Sequence, residues 1–134
     1  MPQANIEIVT RSLDAYSRRD VELLRALTDP DVELDWSASH GFQAGVYKGF
    51  DTALGFYTEY FEVFDEIAID IDGVTAVDDS VVVSNVARQR GRDGIEVTAR
   101  SAFVFTVRDA RIFRICLYQE LDEALRAVGL EEKS

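Results

Sequence analysis

The sequence predicts an α+β fold in which helices come first and a meander of long strands follows. Three observations carry that prediction. Apolar residues recur at three- and four-residue spacing over residues 6–27 and again over 53–64, the period of a helix with one buried face. From Ile67 onward the period drops to two, the alternation of a strand with one face covered. The links between the later strands, residues 78–80, 91–94 and 109–110, are short. Turns of that length join antiparallel neighbours, because a parallel pair needs a crossover. Helices and then strands, rather than strict alternation, is the α+β order.

Each element can be justified in turn. Ile6, Val9, Leu13 and Tyr16 share a face of a first helix, Asn5 to Arg19. Asn5 can cap its start, and Arg18 and Arg19 suit the negative end of its dipole. Asp20 opens a short second helix carrying Val21, Leu24 and Leu27, and Asp29-Pro30 stops it, since proline cannot continue the ladder. Val32-Glu33-Leu34-Asp35-Trp36 alternates as a strand. Residues 37–50 hold three glycines, the lone histidine and no clear period, and read as a loop. Asp51 is the expected cap of a third helix that runs to about Phe64 and carries Phe56, Tyr57, Tyr60, Phe61 and Phe64. Ile67, Ile69 and Ile71 begin the sheet, and strands over 81–90, 95–107 and 111–120 follow. Asp122 is the expected cap of a last helical turn that Gly129 ends. A curved antiparallel sheet wrapped around three N-terminal helices encloses a cone, and three helices do not fill it, so a pocket is expected.

Composition narrows the function. The 134 residues are 47% apolar and 29% charged, which suits one domain over 1–134 with its own core. A net charge of −11 repels phosphate backbones and anionic membrane surfaces, so neither nucleic acid nor membrane is an expected partner. The one basic cluster, Arg88 to Arg92, is followed at once by Asp93 and Glu96 and reads as a strand end and hairpin. Cys116 is the only cysteine, lies in an apolar run, and reads as a small buried hydrophobe. With no basic-then-apolar leader pattern and no long apolar run, a cytoplasmic location is the expectation.

Several segments carry a family resemblance. Ser17-Arg18-Arg19-Asp20 with Val21-Glu22-Leu23-Leu24, Asp29-Pro30-Asp31-Val32-Glu33, and Gly45-Val46-Tyr47-Lys48-Gly49-Phe50-Asp51 resemble, in this order, segments of the SnoaL-like family. So does Val104-Phe105-Thr106-Val107-Arg108-Asp109-Ala110-Arg111-Ile112, with Ala110 where that family usually has glycine. The resemblance spans nearly the whole chain and implies the nuclear-transport-factor-2-like cone. That scaffold hosts isomerases, dehydratases, cyclases, an epoxide hydrolase, transport factors and binding modules, so it does not imply one activity.

The ketosteroid isomerases on this scaffold need an aspartate base, a tyrosine donor and a protonated aspartate; they are a worked example of pKa tuning. Aligned on Asp20, Leu27 and Asp31, those positions fall at Trp36, Ser12 and within 101–103, where none of the groups is present. Asp35, one residue before the base position, should point to the opposite face of its strand. The relay of the epoxide hydrolases needs an inward arginine, whereas Arg100 lies on the face opposite Phe103 and Phe105. Nucleophile-elbow, phosphate-loop and dinucleotide patterns are absent, so no cofactor is expected. One histidine and one cysteine make a metal site unexpected as well.

Two residues stand as catalytic candidates. Tyr16, one turn beyond Ser12 on the same face, either donates its hydroxyl into the pocket or is a satisfied core tyrosine. His40, the natural base near neutral pH, falls in the loop near the mouth of the cone. Strand parity and the aromatic helix name the lining: Trp36, Tyr57, Tyr60, Phe61, Asn85, Ser101, Phe103, Phe105, Leu117 and Gln119. Two readings stay open. One is a pocket protein for a small apolar or aromatic, polyketide-like molecule, with or without an isomerase, cyclase or lyase step. The other is a non-catalytic binding or dimerisation module with a filled pocket, pairing as a homodimer through the outer sheet face of Arg88, Arg90, Arg100, Arg114, Cys116 and Tyr118.

Overall fold

A computed structural model describes residues 2–39, 44–91 and 93–130. Its elements are α1 (Pro2–Arg18), α2 (Val21–Leu27), β1 (Thr28–Asp35), β2 (Val46–Lys48), α3 (Phe50–Val63), β3 (Phe64–Val77), β4 (Ser80–Gly91), β5 (Glu96–Arg108), β6 (Arg111–Tyr118) and α4 (Leu121–Ala127). The strands form one sheet in the order β2-β1-β6-β5-β4-β3. From β3 to β6 the neighbours are antiparallel, as the short turns require. No turn joins β1 to β6, and these two run parallel, with Leu34 beside Ile115 and Asp35 beside Cys116. The sheet is therefore mixed, with one parallel pair in an otherwise antiparallel cone wall. β2, within the segment read from sequence as loop, pairs with β1 through Glu33, Leu34 and Asp35; three residues are too few to show a period.

α1 begins at Pro2, so Asn5 lies inside it rather than capping it, and three further helix ends differ from expectation for local reasons. Asp20 does cap α2, accepting from the Leu23 N–H at 3.1 Å, but the helix stops at Leu27, before Pro30. Thr28 closes it with its hydroxyl on the Leu24 carbonyl at 2.6 Å, and Pro30 lies inside β1. There the register against β6 is irregular between Thr28 and Glu33, so the missing N–H does no harm. At α3 the cap is Gly49, at φ +89 and ψ 148, a conformation open essentially to glycine alone. Asp51 instead occupies the first turn, where a carboxylate suits the helix dipole. At α4 Glu120 and Glu123 form a reciprocal capping box, and Asp122 lies inside the helix. Gly129, at φ +86, ends the helix as expected.

The helices divide between the two faces of the sheet. Val9 and Leu13 of α1 and Phe56 and Tyr60 of α3 pack on Val81, Val83, Phe103, Phe105, Ile115 and Leu117, the inner face. α4 lies on the opposite face, where Ala124, Leu125 and Val128 cover Val82, Ala102 and Val104. The sheet bends at register shifts between Ile71 and Gly73 and between Thr106 and Val107, the usual effect of an extra residue in one strand. Gly73 is required by crowding: a Cβ there would sit 2.8 Å from the Ser84 hydroxyl, which donates to Asp72.

The arginines of the outer face are paired within the chain. Arg88 meets Asp70 at 2.6 Å, Arg90 meets Glu66 at 3.5 Å, and Arg100 meets Asp72. Arg114 donates to Glu33 at 3.0 Å and to Asp35 at 3.2 Å. The acids that pair with them are thus supplied by β3 and β1. Cys116 is buried on this side, and burial pushes its thiol up, which suits an inert side chain. Among the described residues no helix is long and apolar enough to cross a membrane.

Candidate functional site

A cavity of about 390 Å³ lies between the inner sheet face and the helices. Its wall follows from two periodicities. Ser12, Leu13 and Tyr16 come from one face of α1, and Phe56, Tyr57, Tyr60 and Phe64 follow one face of α3 into the start of β3. Alternate residues supply the sheet side: Ile67 and Ile69, Ala87 and Gln89, then Val97, Ala99, Ser101, Phe103 and Phe105, and finally Ile115, Leu117 and Gln119. Leu34 and Trp36 close the β1 end.

Eight of the lining residues expected from the sequence, and Tyr16, lie on this wall. Phe61 does not. It is one step off the α3 face and packs behind Tyr16, ring centroids 5.3 Å apart, under the Arg19 guanidinium. Asn85 also stays off the wall, although parity places it on the inner face. It is fully buried, its Nδ2 donates to the Ser101 carbonyl at 3.3 Å, and its Oδ1 has no partner. His40 lies outside the described residues. Phe56, Phe64 and Leu13 are on the wall without having been singled out. The signal for the aromatics was available only in part: 56, 57, 60 and 64 cluster on one arc of the helix, and 61, four residues after 57, lies at the edge of that same face.

The aromatic groups are held in place by one another. Trp36 stacks on Phe103 at 5.5 Å and meets Phe56 edge-on at 5.3 Å. Its indole also hydrogen-bonds the Tyr60 hydroxyl, as donor, since indole N–H can only donate. Tyr16 meets Tyr57 edge-on at 5.2 Å. Gln119 donates to the Ala38 carbonyl at 2.7 Å, fixing the chain that leaves Trp36. Burial pushes the Tyr16 hydroxyl far above its ordinary value; neighbouring Tyr57 and Tyr60 add to the rise, and Arg19 opposes it. Burial alone lifts Tyr57, and burial lifts Tyr60 against the Trp36 hydrogen bond.

These shifts limit the chemistry. All three hydroxyls stay neutral at working pH, and they can donate hydrogen bonds but not act as bases. Among the described wall residues there is no carboxylate, imidazole or lysine. Arg100 reaches the rim, but its guanidinium holds Asp72 and is largely exposed. Asp35 points to the outer face, where the Ser37 hydroxyl donates at 2.6 Å and Arg114 at 3.2 Å. Among the described residues no three His, Cys, Asp or Glu side chains gather as a metal site would require. Ser12 and Ser101 present neutral hydroxyls to the wall.

The model of the SnoaL-like domain matches residues 9–115. An uncharacterized protein of Mycobacterium tuberculosis is 26% identical over 113 residues, 84% of this chain and 86% of its own length. An NTF2-like protein of unknown function from Burkholderia pseudomallei superposes with a TM-score of 0.76 at 21% identity, over 94% of this chain and 98% of that one. TerC, co-crystallized with polyporic acid, superposes with a TM-score of 0.76 at 20% identity, over 93% and 97%. At such identities the two structures establish a common NTF2-like fold.

Proposed function

The chain belongs to the SnoaL-like family, and from that premise we propose that it takes an apolar or aromatic, polyketide-like small molecule into the cavity between the helices and the sheet. The observation that carries this reading is the wall itself. It is aromatic and aliphatic, with neutral hydrogen-bonding groups at Tyr16, Tyr57, Gln89, Ser101 and Gln119, which is the usual construction of a small-molecule site. A charged ligand would find no counter-ion inside. A neutral one with carbonyl or ether oxygens would find donors. TerC, of like fold, was co-crystallized with polyporic acid, which makes that compound a natural first probe.

Catalysis of an isomerase, cyclase or lyase step is the finer part of the proposal. Tyr16 would donate to the ligand oxygen on which negative charge develops, as oxyanion donors do. The described wall has no proton acceptor suited to neutral pH, so the base falls to His40. The catalytic reading therefore depends on that residue, whereas the binding reading does not.

A thermal-shift screen with polyporic acid, steroid-like and aromatic polyketide-like compounds tests the binding reading. A ligand at one hundred times its dissociation constant adds about 2.7 kcal/mol of stability, a shift of several degrees for a domain of this size. The shift should disappear in Trp36→Ala and survive in His40→Ala. No shift with any compound would favour the second reading, a non-catalytic binding or dimerisation module. For that reading an outer-face contact would use the area α4 leaves uncovered.

A further inference from the structure

Among the described residues, Asn85 Oδ1 is the buried side-chain oxygen left without a hydrogen-bond partner. The orientation of its amide is fixed. Nδ2 donates to the Ser101 carbonyl at 3.3 Å, and turning the amide over would set two acceptors against each other. An acceptor buried without a donor is costly, and native interiors keep few of them. The sheet offers little to relieve it. Its neighbours on the same face are Val83 and Ala87 along β4, Ile69, Ile71 and Val74 on β3, and Ala99, Ser101 and Phe103 on β5. Of these side chains only Ser101 carries a donor. Ser101 stands directly opposite Asn85, a relation that sets the two Cβ atoms about 5 Å apart. It is also a wall residue of the cavity, whereas Asn85 lies behind the wall.

We propose that in the occupied cavity the Ser101 hydroxyl donates to Asn85 Oδ1 and accepts from the ligand. The ligand therefore carries a hydroxyl at that point, as a phenol or enol does and its ether does not. This inference rests on the small-molecule reading above and narrows the class of molecule it admits. A serine hydroxyl has one hydrogen and two lone pairs, and it turns to suit its partners. Once the hydrogen is directed at Asn85, only lone pairs face the cavity. The amide behind also polarises the hydroxyl in front, which strengthens its bond to a donor. An ether oxygen at Ser101 would meet lone pairs with its own. A site built to pair with a hydroxyl rejects the analogue that lacks one, because its own polar groups then stay unpaired. Asn85 touches no ligand in this arrangement. It is a positioning residue that sets the direction in which Ser101 donates.

Calorimetric titration at neutral pH with 2-naphthol and 2-methoxynaphthalene tests this, since the two share one ring system and differ in whether the oxygen can donate. The wild type should bind the naphthol about tenfold more tightly, roughly the worth of one net hydrogen bond. Asn85→Leu removes the acceptor and leaves the wall residues in place. It should bring the ratio of the two affinities close to one, because Ser101 can then donate to either oxygen. A merely structural role for Asn85 would weaken both compounds alike and leave the ratio unchanged. Ser101→Ala should also lose the preference, and Ser101→Thr, which keeps the hydroxyl, should retain it. These two variants decide the matter if Asn85→Leu does not fold. The double variant Asn85→Leu with Ser101→Ala should show the ratio of either single one, because both act through one hydrogen bond. Equal binding of the two compounds by the wild type overturns the proposal and leaves the cavity reading intact. A preference that survives in Asn85→Leu overturns it as well. So does binding of neither compound, and the thermal screen, which uses other ligands, then judges the cavity reading separately.

Discussion

Arg19 lies one residue past α1 at φ +60, where a side chain other than glycine is disfavoured. Its contacts explain why it is tolerated. The guanidinium donates to the carbonyls of Phe61, Phe64 and Asp65 at 3.1, 2.5 and 2.9 Å and lies over the Phe61 ring. It ties the end of α1 to the junction of α3 and β3, and so fixes the turn that presents Tyr16. Arg19→Ala is expected to lower stability by about 1–3 kcal/mol, the scale of a charge-assisted hydrogen bond, and thermal unfolding measures it. Arg19→Lys should recover little, since an ammonium cannot span three carbonyls as a planar fork does. An unchanged melting temperature would show that the latch carries no weight. At this scale much of the site was legible. Parity alone put Ser101, Phe103, Phe105, Leu117 and Gln119 on one side of the sheet, and α1 periodicity put Tyr16 beside Ser12. Phe61 was misplaced because it lies at the edge of the α3 face, where the helical period does not separate a wall residue from one packed behind it. Asn85 was given the correct face, but whether a buried amide reaches a cavity depends on packing that no sequence pattern encodes.

One cation lies between two acids across the parallel β1–β6 pair. Arg114 bridges Glu33 and Asp35 across it. Partial burial of Asp35 works to raise its carboxyl. The Ser37 hydrogen bonds and the Arg114 charge outweigh it, and the carboxyl titrates below its ordinary range. A group depressed in the folded state contributes stability above its unfolded pKa and loses it as pH falls through the folded value. The wild type should therefore lose stability more steeply than Asp35→Asn as pH drops below about 4, by roughly 0.5–1 kcal/mol for a partly exposed pair. Melting temperatures across that range read it out, and parallel curves for the two proteins would refute the linkage. The antiparallel strands were visible in the sequence because short turns determine both neighbour and direction. The parallel pair and β2 were not, since no turn announces the first and three residues cannot display alternation.

Over the whole molecule, acidity and cavity are separated. The carboxylates of the sheet lie on its outer face and in its turns, while the described cavity wall carries neutral groups apart from Arg100 at its rim. With the tyrosines held neutral well past their ordinary range, affinity for an uncharged ligand should be flat from about pH 5 to 9. Calorimetric titration at several pH values checks this. An inflection between about pH 6 and 7 would point to His40, the only histidine of the sequence, since imidazole is the side chain that ordinarily titrates there. The order of elements and the resemblance of short segments sufficed for the architecture, because period and turn length are local. The size of the cavity was beyond them, since it is the small difference between the space a curved sheet encloses and the volume its side chains fill.

Trp36 is the only tryptophan in the chain, and it lies on the cavity wall in contact with Phe56, Phe103 and the Tyr60 hydroxyl. Light absorbed at the red edge of the aromatic band therefore excites one indole, in one place. The protein carries its own probe: a change in the colour or lifetime of its emission reports on the interior of the cone, without a label and without a signal from elsewhere to subtract.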